Sequence, residues 1–223
     1  MASLINFGFV TATWIATIGF GVANATPTLA ADEWRFNVLL DGKRIGYHRF
    51  QVRADGPKRE LLSEARFTVR FLFVSAYRYA HDDHEIWSQE CLAQLEANTN
   101  DNGARRVVNG LRRDSRFAVS SAERTVELEP CVQTFAYWNP EILHADHLLN
   151  PQTGEYVPVR ISNVGVESLV ARGIRQPVEH YRIVGAATIG GALQIDLWYS
   201  LDKNWLALES LTVDGRHLRY EIL

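Results

Sequence analysis

Short apolar-rich runs, separated by turn-forming residues, recur along most of this chain. Residues 34–40 and 45–52 flank an Asp41-Gly42 pair, an arrangement that is typical of a β-hairpin. Residues 61–79 alternate with a period of two over a longer stretch, which predicts a strand with one face on a core. The chain is therefore expected to fold mainly as antiparallel β-strands.

Further short runs continue to the C-terminal end, with Gly, Asn, Asp or Ser between them. They comprise residues 77–88, 92–99, 105–111, 116–119, 124–128, 155–161, 178–185, 193–201, 205–213 and 217–223. So many short strands must protect their edges, and closure or strong curling of the sheet is the usual solution. We therefore expect an all-β, mainly antiparallel fold with a barrel-like or roll-like sheet, whose interior is either a packed core or a cavity.

One short helix is expected, at residues 140–149. Asn139 can cap its N-terminus, and Pro140 suits the first helical position. Asn150-Pro151 then ends the helix. Residues 166–171 fit either a strand or a short helix.

The N-terminal stretch differs sharply from the rest, because every Asp, Glu, Lys and Arg lies from Asp32 onwards. Residues 4–22 are apolar, and the small residues of Ala23-Asn24-Ala25 suit signal peptidase. A retained membrane anchor is the rival interpretation, but no basic stop-transfer cluster follows. We expect residues 1–31 to be a signal peptide and leader, and residues 32–223 to form one periplasmic or secreted β-roll domain that does not span the membrane.

The chain contains two cysteines, Cys91 and Cys131. In an exported domain two thiols most simply form a disulfide, and a single pair permits one connectivity. A bridge of this span contributes about 4 kcal/mol on the chain-entropy estimate. Cys131 also begins an aromatic-rich stretch, residues 131–140, which we expect to be an apolar hub held by the disulfide.

Several functional classes lack support in the sequence. The formal net charge is −3, and Lys and Arg are scattered, so nucleic acid is not an expected partner. The chain has no Gly-x-Ser-x-Gly elbow, phosphate-binding glycine loop or dinucleotide fingerprint. No cofactor is therefore expected.

A set of short markers is spread over residues 34–223. The markers are Leu40-Asp41-Gly42 with Ile45-Gly46, Glu85-x-Trp87 before Cys91-Leu92, Phe135-Ala136-Tyr137-Trp138 after Cys131, Leu148-Leu149-Asn150, Leu197-Trp198-Tyr199 and Trp205-Leu206-Ala207-Leu208-Glu209. Together they resemble an uncharacterised family of exported, β-rich proteins of Gram-negative bacteria, known only as a domain of unknown function. The opening hairpin also resembles a broader group of periplasmic β-roll proteins. The resemblance implies a compartment and a fold, and it carries no activity, ligand or catalytic residue.

The segment from His81 to Glu85 is the richest in chemically active side chains. On a strand, His81, Asp83 and Glu85 would share one face, and such a set could hold zinc or another transition metal. A solvated polar rim is the alternative. His144 and His147, three positions apart on the expected helix, could supply further metal ligands or could be ordinary surface histidines.

Aromatic side chains are the other candidate site, because they could line an apolar pocket. The alternative is that they form a core beside the disulfide. The candidates for ligand contact are Tyr79, Trp87, Phe135, Tyr137, Trp138 and Trp198.

These observations support three hypotheses for the exported domain. The first is a monomeric or loosely associated protein that binds a hydrophobic molecule, such as a lipid or acyl chain, inside the curled sheet. The second is a metal-dependent hydrolase that uses the cluster between His81 and Glu85. The third is an envelope assembly or structural factor that acts through an exposed sheet edge.

Overall fold

The computed structural model describes residues 31–71, 74–122, 124–187 and 191–223. The expected leader therefore lies, except for Ala31, outside the described residues. The described chain forms fourteen strands and one short helix. In chain order these are β1 (Ala31–Leu40), β2 (Lys43–Asp55), β3 (Lys58–Phe71), β4 (Val74–Ser88), β5 (Cys91–Asp101), β6 (Ala104–Arg113), β7 (Arg116–Ser120), β8 (Thr125–Leu128), the helix (Pro140–His144), β9 (His147–Leu149), β10 (Tyr156–Ala171), β11 (Ile174–Ala187), β12 (Gly191–Ser200), β13 (Trp205–Leu211) and β14 (His217–Ile222).

All fourteen strands belong to one antiparallel sheet, which confirms the expected all-β class. Its order runs from β8 down to β1, then from β14 down to β9. The first and last strands thus pair in the middle of the sheet, with Leu40 opposite Leu218. Each remaining neighbour in the sheet is also a neighbour in the chain, so the fold consists of two meanders joined along β1 and β14.

The sheet curls so that its two ends approach each other. Gly154, just after β9, lies against Val108 of β6 and Ser121 beyond β7. The Tyr156 hydroxyl at the start of β10 donates a hydrogen bond to Glu129, just beyond β8. Curling of this kind creates an inner face, as the sequence predicts.

Successive side chains of a strand point alternately to the inner and the outer face of the sheet. Phe36, Val38 and Leu40 of β1 are buried, whereas the residues between them are more exposed. The expected hairpin about Asp41-Gly42 is present, and both residues have positive φ. Burial along this strand therefore alternates with a period of two.

The prediction of one strand over residues 61–79 is wrong, because β3 and β4 form a hairpin in which Phe71 pairs with Val74. Next to this turn, odd-numbered residues of β3 pair with even-numbered residues of β4. A bulge between Val69 and Arg70 shifts the register by one residue, so that odd-numbered residues of both strands pair further along. Phe67 therefore faces Tyr79, and the alternation continues in register through the turn. Because the bulge restores the register that the turn changes, the apolar residues keep one spacing through both strands, and the turn cannot be recognised from the sequence pattern.

The aromatic stretch after Cys131 lies inside the curled sheet. We call residues 131–139 the inner segment. The predicted disulfide joins Cys131 to Cys91 at the start of β5, with an S–S distance of 1.98 Å. The Leu92 N–H donates to the Val132 carbonyl at 3.0 Å, and the Leu149 N–H donates to the Gln133 carbonyl at 2.8 Å. The inner segment is thus held between β5 and β9.

The helix begins where the sequence predicts and ends early. Asn139 caps it by accepting a hydrogen bond from the Glu141 N–H at 3.3 Å. It is a 3-10 helix that stops at His144, and the last three residues of the expected helix form β9 instead. Buried Leu148 and Leu149 satisfy their backbone in the sheet, which overrides the local helical signal. The ambiguous residues 166–171 belong to strand β10.

No helix among the described residues is long and apolar enough to cross a membrane.

Candidate functional site

The interior of the curled sheet holds two adjoining chambers. The inner chamber has a volume of about 230 Å³, and the outer chamber has a volume of about 630 Å³. His48, Gln152, Leu218 and Tyr220 line both chambers, so these side chains mark the boundary between them. The interior of the sheet is therefore a cavity as well as a packed core.

The outer chamber is lined mainly by apolar and aromatic side chains. They include Leu40, Ile45, Phe67, Val69, Tyr79 and Leu218. Phe67 and Tyr79 face each other across β3 and β4 and stack with ring centroids 5.1 Å apart. The charged lining residues, Asp101, Asp214 and Arg216, are partly or fully exposed. The chamber is thus apolar in its depth and charged where it meets solvent.

The inner chamber is more polar, because three adjacent strands direct polar side chains inward. Ser63 of β3 pairs with Phe50 of β2 on one side and with Asp83 of β4 on the other. His48 Nε2 shares a hydrogen bond with Ser63 Oγ at 2.8 Å, and His48 Nδ1 shares one with the Tyr220 hydroxyl at 3.2 Å. Strand register, together with the β1–β14 pairing, therefore assembles this polar group from distant parts of the chain.

A pair of buried carboxyls forms one wall of the inner chamber. Asp83 is 7% exposed and Glu85 is 1% exposed, and their side chains hydrogen-bond each other. The Trp87 Nε1–H donates to Glu85 Oε2 at 2.8 Å, whereas Asp83 Oδ1 has no hydrogen-bond partner. Burial raises the pKa of Glu85 to about 7 and that of Asp83 well above its ordinary range. The pair therefore retains at least one proton at acidic to near-neutral pH.

Both histidines of the inner chamber are neutral near pH 7. Burial lowers the pKa of His81 to about 4 and that of His48 well below its ordinary range. His81 Nδ1 shares a hydrogen bond with Thr99 Oγ1 at 2.9 Å. The positive charge that an imidazole could contribute is thus missing from this chamber.

The expected aromatic contacts divide between the cavity and its surroundings. Tyr79 lines the outer chamber, and Phe135 and Tyr137 of the inner segment line the inner one. Trp87 is fully buried, and Trp138 packs edge-on against it with ring centroids 5.7 Å apart. These two tryptophans belong to the core beside the disulfide and are not among the residues that line the two chambers.

Trp198 lies away from both chambers. Its indole stacks on His180 with ring centroids 4.7 Å apart and donates a hydrogen bond to Glu167. His180 also bonds Asp196 at 2.7 Å. The structure therefore places Trp198 in a polar cluster on strands β10 to β12.

The structure brings His81, Asp83 and Glu85 to one buried face of β4, as the alternation predicts. Even so, the described part of the chain contains no group of three or more His, Cys, Asp or Glu side chains arranged to hold a metal ion. His144 is exposed, and His147 stacks on Tyr156 at 5.0 Å, so neither histidine lines a chamber. A metal site on these residues stays a prediction.

Sequence reasoning missed His48, Ser63 and Tyr220. A usable signal was present, because Ser63 shares the inward parity of Leu61 and Ala65 on β3. A polar residue on an apolar face is an informative exception to burial patterns. The contact between His48 and Tyr220 had no comparable local signal, since these residues lie 172 positions apart.

Comparisons with known proteins agree with this architecture. The model of a family described as a domain of unknown function, DUF6134, matches residues 36–222. None of the curated proteins matches the sequence. A similar solved structure is that of a β-barrel-like protein of domain of unknown function DUF1849 from Brucella abortus, with a TM-score of 0.65 and 8% identity over 89% of this chain and 98% of the other. At that identity the similarity concerns the fold alone.

Proposed function

We propose that this chain, which belongs to the DUF6134 family of unknown function, binds a hydrophobic or amphipathic molecule inside its curled sheet. The observation that carries the proposal is the pair of adjoining chambers within a single barrel-like sheet, one lined mainly by apolar side chains and the other with a wall of polar side chains. The outer chamber, at about 630 Å³, has the size of a small-molecule site. A lipid or acyl chain suits this arrangement.

Burial of an apolar chain supplies the driving force in this proposal. Each methylene group moved from water into the outer chamber contributes about 0.8 kcal/mol before the costs of association. Phe67, Val69 and Tyr79 provide the apolar surface for such a chain. The inner chamber, with its partly satisfied carboxyl pair, leaves room for a polar end.

We place this binding in the periplasm or outside the cell. Two features support this location: the uncharged N-terminal stretch ending at Ala31, and the Cys91–Cys131 disulfide. Disulfides persist in oxidising compartments and are rare in the cytosol. The ligand in this proposal is therefore a molecule of the cell envelope or the medium.

Ligand extraction together with a binding assay tests the proposed function. Protein purified from the periplasm without detergent is extracted with organic solvent, and the extract is examined by mass spectrometry. We expect a stoichiometric hydrophobic molecule, and the emptied protein should bind the neutral probe N-phenyl-1-naphthylamine. An extract without ligand, combined with no probe binding, would overturn the proposal.

A matched pair of variants locates the binding. Val69→Trp places a bulky side chain in the outer chamber and should abolish probe binding. Val170→Trp makes the same change at a position that is 53% exposed and outside both chambers, so binding should persist. Equal binding by the two variants would show that the probe occupies another surface.

A second candidate function is that of an envelope assembly factor, and strands β10 and β11 favour it. Val164, Val166, Val170 and Ile174 are each more than half exposed. In the described part of the chain, β10 pairs with β9 only over residues 156–158, so most of its outer edge is open to a further strand, beside these apolar side chains. Capture of envelope proteins by the wild type, lost in Val166→Lys, would support this role; equal capture by both would contradict it.

A further inference from the structure

The inner chamber has a charge pattern that selects among ligand head groups. We propose that it receives the polar end of the ligand and that this end is a hydrogen-bond donor, a hydroxyl or an ammonium group, in preference to a carboxylate or phosphate. The inference rests on the proposed function, because it assumes that the apolar part of the same molecule occupies the outer chamber. It assigns Asp83 the role of acceptor for the head group.

The first argument concerns the hydrogen bonds of the carboxyl pair. Asp83 lines the inner chamber and is 7% exposed, yet its Oδ1 has no partner. A buried acceptor without a donor costs free energy, which a donor from a ligand would recover. Glu85 is already engaged, since it accepts from Trp87 and hydrogen-bonds Asp83. Asp83 is therefore the acceptor with remaining capacity.

The second argument concerns the absence of positive charge. Among the described residues that line the inner chamber there is no Lys or Arg. Its two histidines are neutral near pH 7, because burial lowers the pKa of His48 and of His81. An anionic head group would lose its hydration without gaining a cationic partner, and it would face a carboxyl pair. A neutral donor incurs no loss of charge hydration, and a cationic donor gains the carboxyl pair in exchange for its hydration.

The third argument concerns the orientation of the ligand. His48 and Tyr220 line both chambers and hydrogen-bond each other at 3.2 Å. On one side of this pair lies the carboxyl group of Asp83, and on the other lies the stacked pair of Phe67 and Tyr79. A tail in the outer chamber therefore directs the head of the molecule past His48 towards Asp83.

Probes that share one tail and differ in their head groups test the inference. Dodecylamine, 1-dodecanol, dodecanoate and dodecyl phosphate are titrated below their micellar concentrations at pH 7.5, with the tryptophan fluorescence of the oxidised protein as the signal. We expect the amine and the alcohol to bind at least about tenfold more tightly than the two anions, a difference of about 1.4 kcal/mol. Preference for dodecanoate or the phosphate would overturn the inference.

Two variants at adjacent positions of β4 complete the test. Asp83→Asn keeps the shape of the side chain and removes its capacity to ionise beside an ammonium group, so it should reduce the preference for the amine over dodecanoate. Asp82→Asn is the control, because Asp82 points outward and pairs with Arg66 at 2.6 Å; the preference should be unchanged. An unchanged preference in Asp83→Asn would exclude this carboxyl as the acceptor. If that variant does not fold, the probe series on the wild type decides the question.

The possible outcomes separate this inference from the function on which it rests. Equal affinity for all four probes, lost in Val69→Trp, would refute head-group selection and leave the hydrophobic site intact. Failure of all four probes and of N-phenyl-1-naphthylamine would refute the hydrophobic site itself.

Discussion

Replacing both buried carboxyls with amides should change how the stability of the protein depends on pH. In Asp83→Asn/Glu85→Gln the side chains keep their shapes, and the new glutamine can still accept the hydrogen bond from Trp87. In the wild type, the folded state holds a proton on Glu85 up to a pKa of about 7, whereas the unfolded chain releases it near the ordinary value of 4.5. The folded state therefore loses stability relative to the unfolded state as pH rises between these values.

The size of this effect follows from the shift in pKa. One unit corresponds to 1.36 kcal/mol, so ionisation of Glu85 alone lowers wild-type stability by roughly 2.5 kcal/mol between pH 5 and pH 8. Asp83 adds to this loss, because burial raises its pKa as well. The lowered pKa of His81 acts in the opposite direction, since protonation favours the unfolded chain below pH 6.5. His81 is present in both proteins, so its contribution cancels in their difference.

The assay is urea denaturation followed by tryptophan fluorescence at pH 5 and pH 8. From the lower to the higher pH, the double variant should gain at least about 2.5 kcal/mol relative to the wild type. For a chain of this size such a gain raises the melting temperature by about 5–10 °C. Asp82→Asn, on the exposed face of the same strand, should follow the wild-type profile. Parallel profiles for the double variant and the wild type would refute the assignment of a proton to the carboxyl pair.

Three further predictions concern the fold. Cys131→Ser should lower the melting temperature of the oxidised protein by about 8–16 °C, because the bridge contributes about 4 kcal/mol; an unchanged melt would show that the sulfurs are not joined. Gly46→Ala should greatly reduce soluble yield, since its β-carbon would lie 1.9 Å from the Arg66 carbonyl oxygen; normal yield would contradict this close approach. Trp205→Ala should cost about 3–5 kcal/mol in urea denaturation, whereas Val166→Ala, at a position 66% exposed, should change stability little; similar costs would contradict the burial of Trp205.

Much of the fold was accessible from local patterns. The hairpin about Asp41-Gly42 and the cap at Asn139 follow from residue types at particular positions. The disulfide followed from the presence of a single pair of cysteines in a chain expected to be exported. Each of these inferences uses residues that are adjacent in sequence, or a count that leaves one solution.

The errors arose where a long-range contact decided between local alternatives. The 3-10 helix ends at His144, because Leu148 and Leu149 are buried in the sheet beside the inner segment. The turn between β3 and β4 was hidden because a bulge after Val69 restores the parity that the turn reverses. In both places the sequence pattern is compatible with two structures, and packing selects one.

In the candidate site, too, local patterns predicted some features and long-range contacts decided the others. The alternation on β4 correctly predicted that His81, Asp83 and Glu85 share a face, because a period of two is a local property of a strand. Their position beside Ser63 depends on the register of β3 against β4, and the meeting of His48 with Tyr220 depends on the pairing of β1 with β14. The sequence alone therefore determined which side chains of this strand share a face. Only the tertiary structure decided which of them meet around a cavity, because strand pairing and curling join residues that no local periodicity relates.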